Sequence, residues 1–143
     1  MTTLIVGTPH TPGLLRDLDW LATIARGLAA TTPPGCGPGR ERVFEQVLVT
    51  DTYDVWVIGW PPGTSVGLHD HDDAGAAVCV VAGELSEIRP DRPGSPVWRL
   101  RAGQSVTVEP GVVHDVANQS GAWATSVHVY SPPLRTMNFV EPD

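Results

Sequence analysis

Lysine is absent from this sequence: its nine basic residues are all arginine, set against sixteen acids for a formal charge of -7. That balance has the wrong sign for a general nucleic-acid or anionic-membrane binder and directs attention to small-molecule chemistry. Cysteine is scarce as well. Cys36 lies in a Pro/Gly stretch and Cys79 in an apolar run, which excludes a disulfide framework or a CxxC metal knuckle and fits a reducing, cytoplasmic home. Charged residues make up only 17% of the chain against 41% hydrophobic, so a disordered tail protein is excluded too. No apolar run approaches the length of a membrane span, the N-terminus carries no basic region, and Leu4-Ile5-Val6 is too short for a signal core. A soluble, unprocessed protein without membrane or nucleic-acid partners is expected.

What is abundant is turn chemistry. Fifteen glycines and fourteen prolines are spread over 143 residues, a length that suits one domain able to bury its own core. After a coil at 1–12, apolar residues from Leu14 through Leu18, Leu21 and Ile24 to Leu28 recur at helical spacing, and the segment TTPPGCGPG then stops the helix. From residue 42 onward the pattern is of short strands rich in Val, Ile or Trp: 43–49, 55–60, 76–81, 84–89, 97–101, 105–108, 112–117 and 125–131. Pro61-Pro62-Gly63, Gly83, Pro93-Gly94, Gly103 and Pro110-Gly111 punctuate them. Residues 1–41 thus read as a helix with a Pro/Gly-rich loop and 42–143 as a β-barrel or sandwich, a single domain overall.

Two of the five histidines stand as His69-Asp70-His71, and His114 follows a Pro-Gly turn 43 residues after His71. Side chains at i and i+2 of a strand share a face, so His69 and His71 can point inward while Asp70 points away. A third imidazole from a neighbouring strand completes one face of a metal's coordination sphere and leaves the rest open. An HxH pair alone is more often an ordinary polar feature, and the residues around it must decide.

Those residues resemble the two cupin motifs. Gly63, five residues, His69, one residue, His71 and a closing Gly83 are similar to the first; Gly103 through Pro110-Gly111 to His114 and Asn118 is similar to the second, with its proline one residue late. The resemblance implies an all-β cupin fold, a double-stranded β-helix or jelly-roll barrel, carrying a short N-terminal helix. The glutamate usual in the first motif is missing, since Gly75 and Ala76 occupy its places, which leaves a three-histidine site. Three neutral imidazoles leave a divalent ion its full charge for exogenous ligands and so favour an anionic thiolate. Asp72 and Asp73 read as solvated loop acids rather than replacement ligands.

Within the cupins, HDHDDAGAAVCVVAGEL, PGVVHDVANQS and SVHVYSPPLRTMNF resemble the cysteine dioxygenase family, bacterial type, over roughly residues 42–140. Period-two geometry sets Ser126, His128 and Tyr130 on one face of a strand, and a polar row aimed into a barrel is costly unless it is hydrogen-bonded or functional. The resemblance implies that His69, His71 and His114 bind Fe(II) and that Ser126, His128 and Tyr130 stand beside the oxygen site. In that reading Tyr130 hydrogen-bonds at the reacting centre, His128 orients the phenol and Ser126 fixes the imidazole. Ala76 stands where animal members carry a cysteine that crosslinks to the tyrosine, so no such thioether forms here. Cys79, three residues on, faces the other way and reads as core. Gln46 aligns with the arginine that holds the substrate carboxylate in cysteine-specific members, and is the expected substrate-binding residue. Glutamine brings no charge, so Arg42, Arg99, Arg101 and Arg135 are candidate cations for a carboxylate. Trp56 and Trp60 read as core packing.

The implied activity is addition of O2 to the sulfur of a small thiol, L-cysteine or a relative such as 3-mercaptopropionate, by a monomer or homodimer. Two further readings stay open: a cupin metalloenzyme acting on a non-thiol small molecule, and a non-catalytic cupin that binds a small ligand.

Overall fold

Alternating valine-rich runs become strands and the one stretch with helical spacing becomes a helix in the computed structural model, which describes residues 16–90 and 97–141. Helix α1 spans Leu18–Ala29. The strands are β1 Val43–Val49, β2 Asp54–Trp60, β3 His69–Asp70, β4 Gly75–Ala82, β5 Glu84–Ile88, β6 Trp98–Arg101, β7 Ser105–Val108, β8 Asp115–Ala117, β9 Ala124–Ser131 and β10 Asn138–Phe139. The expected helical residues Leu14 and Leu15 and the Pro93-Gly94 turn lie outside the described residues. Asp17 caps the helix by accepting from the Trp20 N–H at 2.8 Å, satisfying one of the first-turn donors. The strand expected at 112–117 shortens to β8 because Val112 N–H bonds back to Glu109 O in a turn.

A five-stranded antiparallel sheet runs in the order β1-β2-β9-β4-β7, faced by a three-stranded sheet β6-β5-β8. Strand alternation divides its side chains between two cores. Val55, Ala77, Cys79, Val127 and Val129 point outward, where α1 covers them with Leu21, Ala22, Ala25 and Ala29. Ile58, Trp60, Val80 and Ala124 point inward and meet Leu85, Leu100 and Val116 of the smaller sheet. Cys79 therefore packs in the core beneath the helix, and Cys36 is exposed. Because both faces are covered, all eight residues of β9 are buried, Ser126, His128 and Tyr130 with them. The edge strand β1 is the opposite case: each of its residues is exposed, and it is paired along one side by β2.

The turn from β4 to β5 depends on Gly83 at φ +80°, where a Cβ would lie 2.5 Å from the Trp123 carbonyl oxygen and 2.8 Å from Ala124 Cα. Gly63 has nearly the same backbone, φ +83°, but open space around it. Gly63→Ala is expected to cost about 1 kcal/mol of left-handed strain, and Gly83→Ala at least about 2 kcal/mol more because backbone has to move. Denaturant midpoints of the two variants check this ordering.

Candidate metal centre and its cavity

The two short elements that carry the histidines are held together by backbone. His69 N–H donates to His114 O and His114 N–H to His69 O, both at 2.9 Å, an antiparallel bridge between the two halves of the barrel. β3 also pairs with β10, Phe139 opposite His69 and Asn138 opposite Asp70. His71 follows at once, before a turn in which Ala74 N–H bonds to His71 O and Asp72 takes φ 58°. His69, His71 and His114 are buried. Asp70 points the other way and accepts from the Asn138 side chain at 2.8 Å, while Asp72 and Asp73 are exposed.

The imidazoles converge through their Nε2 atoms. His71 Nε2 lies 3.2 Å from that of His69 and 3.4 Å from that of His114. Outer-ring contacts fix two of the three tautomers. His69 Nδ1 donates to Gly67 O at 2.6 Å and His114 Nδ1 to the Glu87 carboxylate at 2.8 Å, so both Nε2 atoms present lone pairs to one point. His71 Nδ1 is buried without a hydrogen-bond partner. Lone pairs crowded in this way repel unless a cation lies among them. The 3.2 and 3.4 Å separations suit ligands about 2.1 Å from one ion. The three donor atoms are a group able to hold a metal ion. Burial, then the proximity of the other imidazoles His114, His69 and His128, pushes the His71 pKa down to about 2, keeping the ring neutral and able to ligate.

Glu87 escaped the sequence reading. It is fully buried on β5 and is shared between His114 Nδ1 and the Arg89 guanidinium, whose Nε and Nη2 lie 3.1 and 3.3 Å from its two oxygens. The ligand set thus lacks a carboxylate, yet an acid stands one residue behind it. The available signal was alternation: Leu85, Glu87 and Arg89 share a strand face, and Leu85 is core.

On β9 the polar row forms a chain. The Trp60 indole N–H donates to Ser126 Oγ at 2.8 Å, Ser126 lies 2.7 Å from His128 Nε2, and His128 Nδ1 lies 3.4 Å from the Tyr130 hydroxyl. Indole only donates, so Ser126 satisfies its own hydrogen by donating to His128 Nε2; the imidazole proton then sits on Nδ1, facing the phenol oxygen. Tyr130 is left with its hydroxyl hydrogen free for the cavity. Burial, then the carboxylate of Asp54, raises its pKa, and burial first of all lowers that of His128 to about 3, so both groups stay neutral. The Tyr130 ring stands 5.1 Å from that of His71. Ala76 is directly opposite Tyr130 in the β4–β9 register.

A cavity of about 290 Å³ joins these groups, lined by the three converging histidines, His128 and Tyr130, by apolar side chains that include Trp56, and by Arg42. Gln46 is not among its lining residues; its Nε2 donates to Asp54 Oδ2 at 3.0 Å, and the Trp56 indole N–H donates to the same oxygen. Gln46 therefore meets the cavity wall only indirectly, sharing Asp54 with Trp56. Trp60, expected as packing, also anchors the polar chain. Arg99, Arg101 and Arg135 are exposed, and Arg42 is the candidate cation that reaches the cavity.

Residues 41–141 match the family model for cysteine dioxygenase type I. The chain belongs to the cysteine dioxygenase family. Solved structures share its fold. An uncharacterized conserved protein with a double-stranded β-helix domain from Klebsiella pneumoniae is 25% identical, with a TM-score of 0.63 over 76% of this chain and 91% of that one. A cupin superfamily protein of Desulfitobacterium hafniense is 11% identical, with a TM-score of 0.57 over 73% and 86%. A polyketide cyclase of Streptomyces resistomycificus is 15% identical, with a TM-score of 0.63 over 73% and 74%. This cysteine dioxygenase-like cupin has the expected all-β barrel with one short helix. No helix among the described residues is long and apolar enough to cross a membrane.

Two outcomes follow from these contacts. Glu87→Gln keeps the shape but weakens the pull on the His114 proton, and metal affinity measured by chelator competition falls roughly 10- to 100-fold. Because His128 is neutral when folded down to about pH 3 but protonates near 6.5 when unfolded, the unfolded chain binds the extra proton between those values and stability falls with pH. From pH 7 to pH 5 this group alone costs the metal-free protein about 2 kcal/mol. Denaturation at the two pH values measures the loss, and His128→Gln, which cannot titrate, loses less.

Proposed function

We propose that the protein is an iron(II)-dependent thiol dioxygenase, which converts a small thiolate and O2 to a sulfinate. The observation that carries this reading is the convergence of three neutral imidazole nitrogens beside a phenol whose hydroxyl is held un-ionised and free to donate. The stoichiometry closes without a reductant: both oxygen atoms end on sulfur, and sulfur supplies all four electrons. Ferrous iron, when bound, would supply the electronic means for thiolate and O2 to react.

The chain's own residues do the rest. His69, His71 and His114 would hold the ion, and with no carboxylate among them a thiolate is the anion the site lacks. Tyr130 directs its hydroxyl hydrogen toward the reacting sulfur and oxygen, a donor fixed in place before reaction and therefore needing no reorganisation. His128 holds the phenol oxygen, Ser126 fixes the imidazole tautomer, and Trp60 holds Ser126. Gln46 steadies the substrate wall through Asp54 and Trp56. The apolar lining excludes bulk water from a reactive intermediate. The free, exposed Cys36 suits the reducing cytoplasm we assign to the protein.

Iron-loaded protein is expected to consume O2 with at least one small thiol and to yield its sulfinate by mass spectrometry. Another oxidised product identifies a non-thiol cupin enzyme, and an unchanged ligand identifies a binding protein. His69→Ala is expected to lose stoichiometric iron; if it keeps the metal, the ligand set is wrong. Tyr130→Phe is expected to keep iron while kcat falls on the order of 100-fold or more.

A further inference from the structure

Glu87 lies near the end of β5 and Arg89 just beyond it on the same face, and both side chains are buried. Arginine is seldom enclosed to this degree unless something holds it. Three groups do. Its Nε and Nη2 lie 3.1 and 3.3 Å from the two oxygens of Glu87, Nη2 donates to Thr107 O on β7 at 2.5 Å, and its guanidinium carbon stands 4.9 Å from the Trp98 ring centroid on β6. The cation is thereby fixed between the two sheets, with its donor fork against the acid that supports His114.

Neutralising a buried carboxylate explains a cation beside Glu87, but not the sharing of a single oxygen. Oε2 of Glu87 accepts from His114 Nδ1 at 2.8 Å and from Arg89 Nη2 at 3.3 Å, so two donors draw on the same electron density. Charge that the guanidinium draws from Oε2 no longer acts on the His114 N–H. The other two rings lack such control: His69 Nδ1 donates to the uncharged Gly67 carbonyl, and His71 Nδ1 has no hydrogen-bond partner. Among the described residues, His114 is thus the candidate ligand whose outer nitrogen meets a charged group.

We infer that Arg89 is a positioning residue that sets the electron-donating strength of His114 through Glu87, and with it the balance between ferrous and ferric iron at the site. The inference rests on the iron reading above and deepens it by naming what adjusts the ion's oxidation state. With Arg89 in place the carboxylate's pull on the Nδ1–H is moderated, the ring stays close to a neutral donor, and the ferrous ion is favoured. Without it the full carboxylate pulls on that proton, the ring carries more negative charge, and the ferric ion gains. The proton stays between His114 and Glu87 throughout, and no covalent bond is made or broken.

Redox titration of the iron-loaded protein, without thiol or O2, reads this balance as the ratio of ferric to ferrous affinity. Arg89→Gln is expected to raise the ratio about tenfold, which lowers the potential by about 59 mV, and Glu87→Gln to lower the ratio by a similar factor. Opposite signs at two residues in contact separate tuning from support, because a merely structural pair weakens the site in the same sense at either residue. In the Glu87→Gln background, Arg89→Gln is expected to change the ratio less than about threefold, since the group it acts through is gone. Arg89→Lys keeps the charge but meets the acid as a point rather than a fork, so it raises the ratio about threefold and decides the matter if Arg89→Gln does not fold. In the zinc-loaded protein the proton NMR signal of the His114 Nδ1–H moves downfield in either Arg89 variant. A potential that rises or holds in the Arg89 variants, an unmoved His114 signal, or an Arg89→Gln shift just as large in the Glu87→Gln background overturns the inference. Oxygen uptake with a panel of small thiols distinguishes the two failures. Potentials that move as expected without thiol-dependent O2 uptake overturn the dioxygenase and leave Arg89 its role, whereas thiol oxidation with an unmoved potential does the reverse. A protein that holds no iron overturns both.

Discussion

Two backbone hydrogen bonds between His69 and His114 tie together segments more than forty residues apart, and the site depends on that tie. Each residue is at once a strand partner and a member of the candidate metal group, so the backbone positions of the two imidazoles are set by β-geometry. His71 is then placed by chain direction, one turn residue beyond β3. The larger barrel serves the same end from behind. β9, buried on both faces, cannot turn its polar row toward solvent, and α1 occupies the outer side that would otherwise allow it to.

Charge is distributed in an equally constrained way. His114 leans on Glu87, whose charge Arg89 balances in turn. Placing the carboxylate behind the ligand increases the basicity of one nitrogen without occupying a coordination position. Arg89 prevents the acid from becoming an unpaired buried charge, which would destabilise the barrel by several kcal/mol. Among the described residues that line the cavity none is an aspartate or glutamate.

The elements legible in the sequence were those with long enough periodicity. Strands β1, β2, β4, β5 and β9 alternate or run apolar over five to eight residues, and α1 repeats at helical spacing. β10, two residues long, carries no period and was invisible, and β3 was legible only through the His69-Asp70-His71 spacing. The histidines and the polar row of β9 were legible through spacing and resemblance. Glu87 was not, because its meeting with His114 depends on the β5–β8 register, which places residues 27 apart side by side. Nor did sequence tell Gln46 from Arg42 as the side chain reaching the cavity. That choice rests on Asp54 capturing the Gln46 amide and on two aromatic rings guiding the arginine.

β1 is tied along one side and exposed throughout, whereas the strands bearing the histidines and Tyr130 are enclosed. Phe44 and the Arg42 stem therefore belong to a part of the barrel that tolerates substitution far better than the metal position does. The open edge of the cavity and its enclosed end are mechanically decoupled in this molecule. Substitution along the edge strand can therefore reshape one end of the cavity and leave the enclosed residues in place.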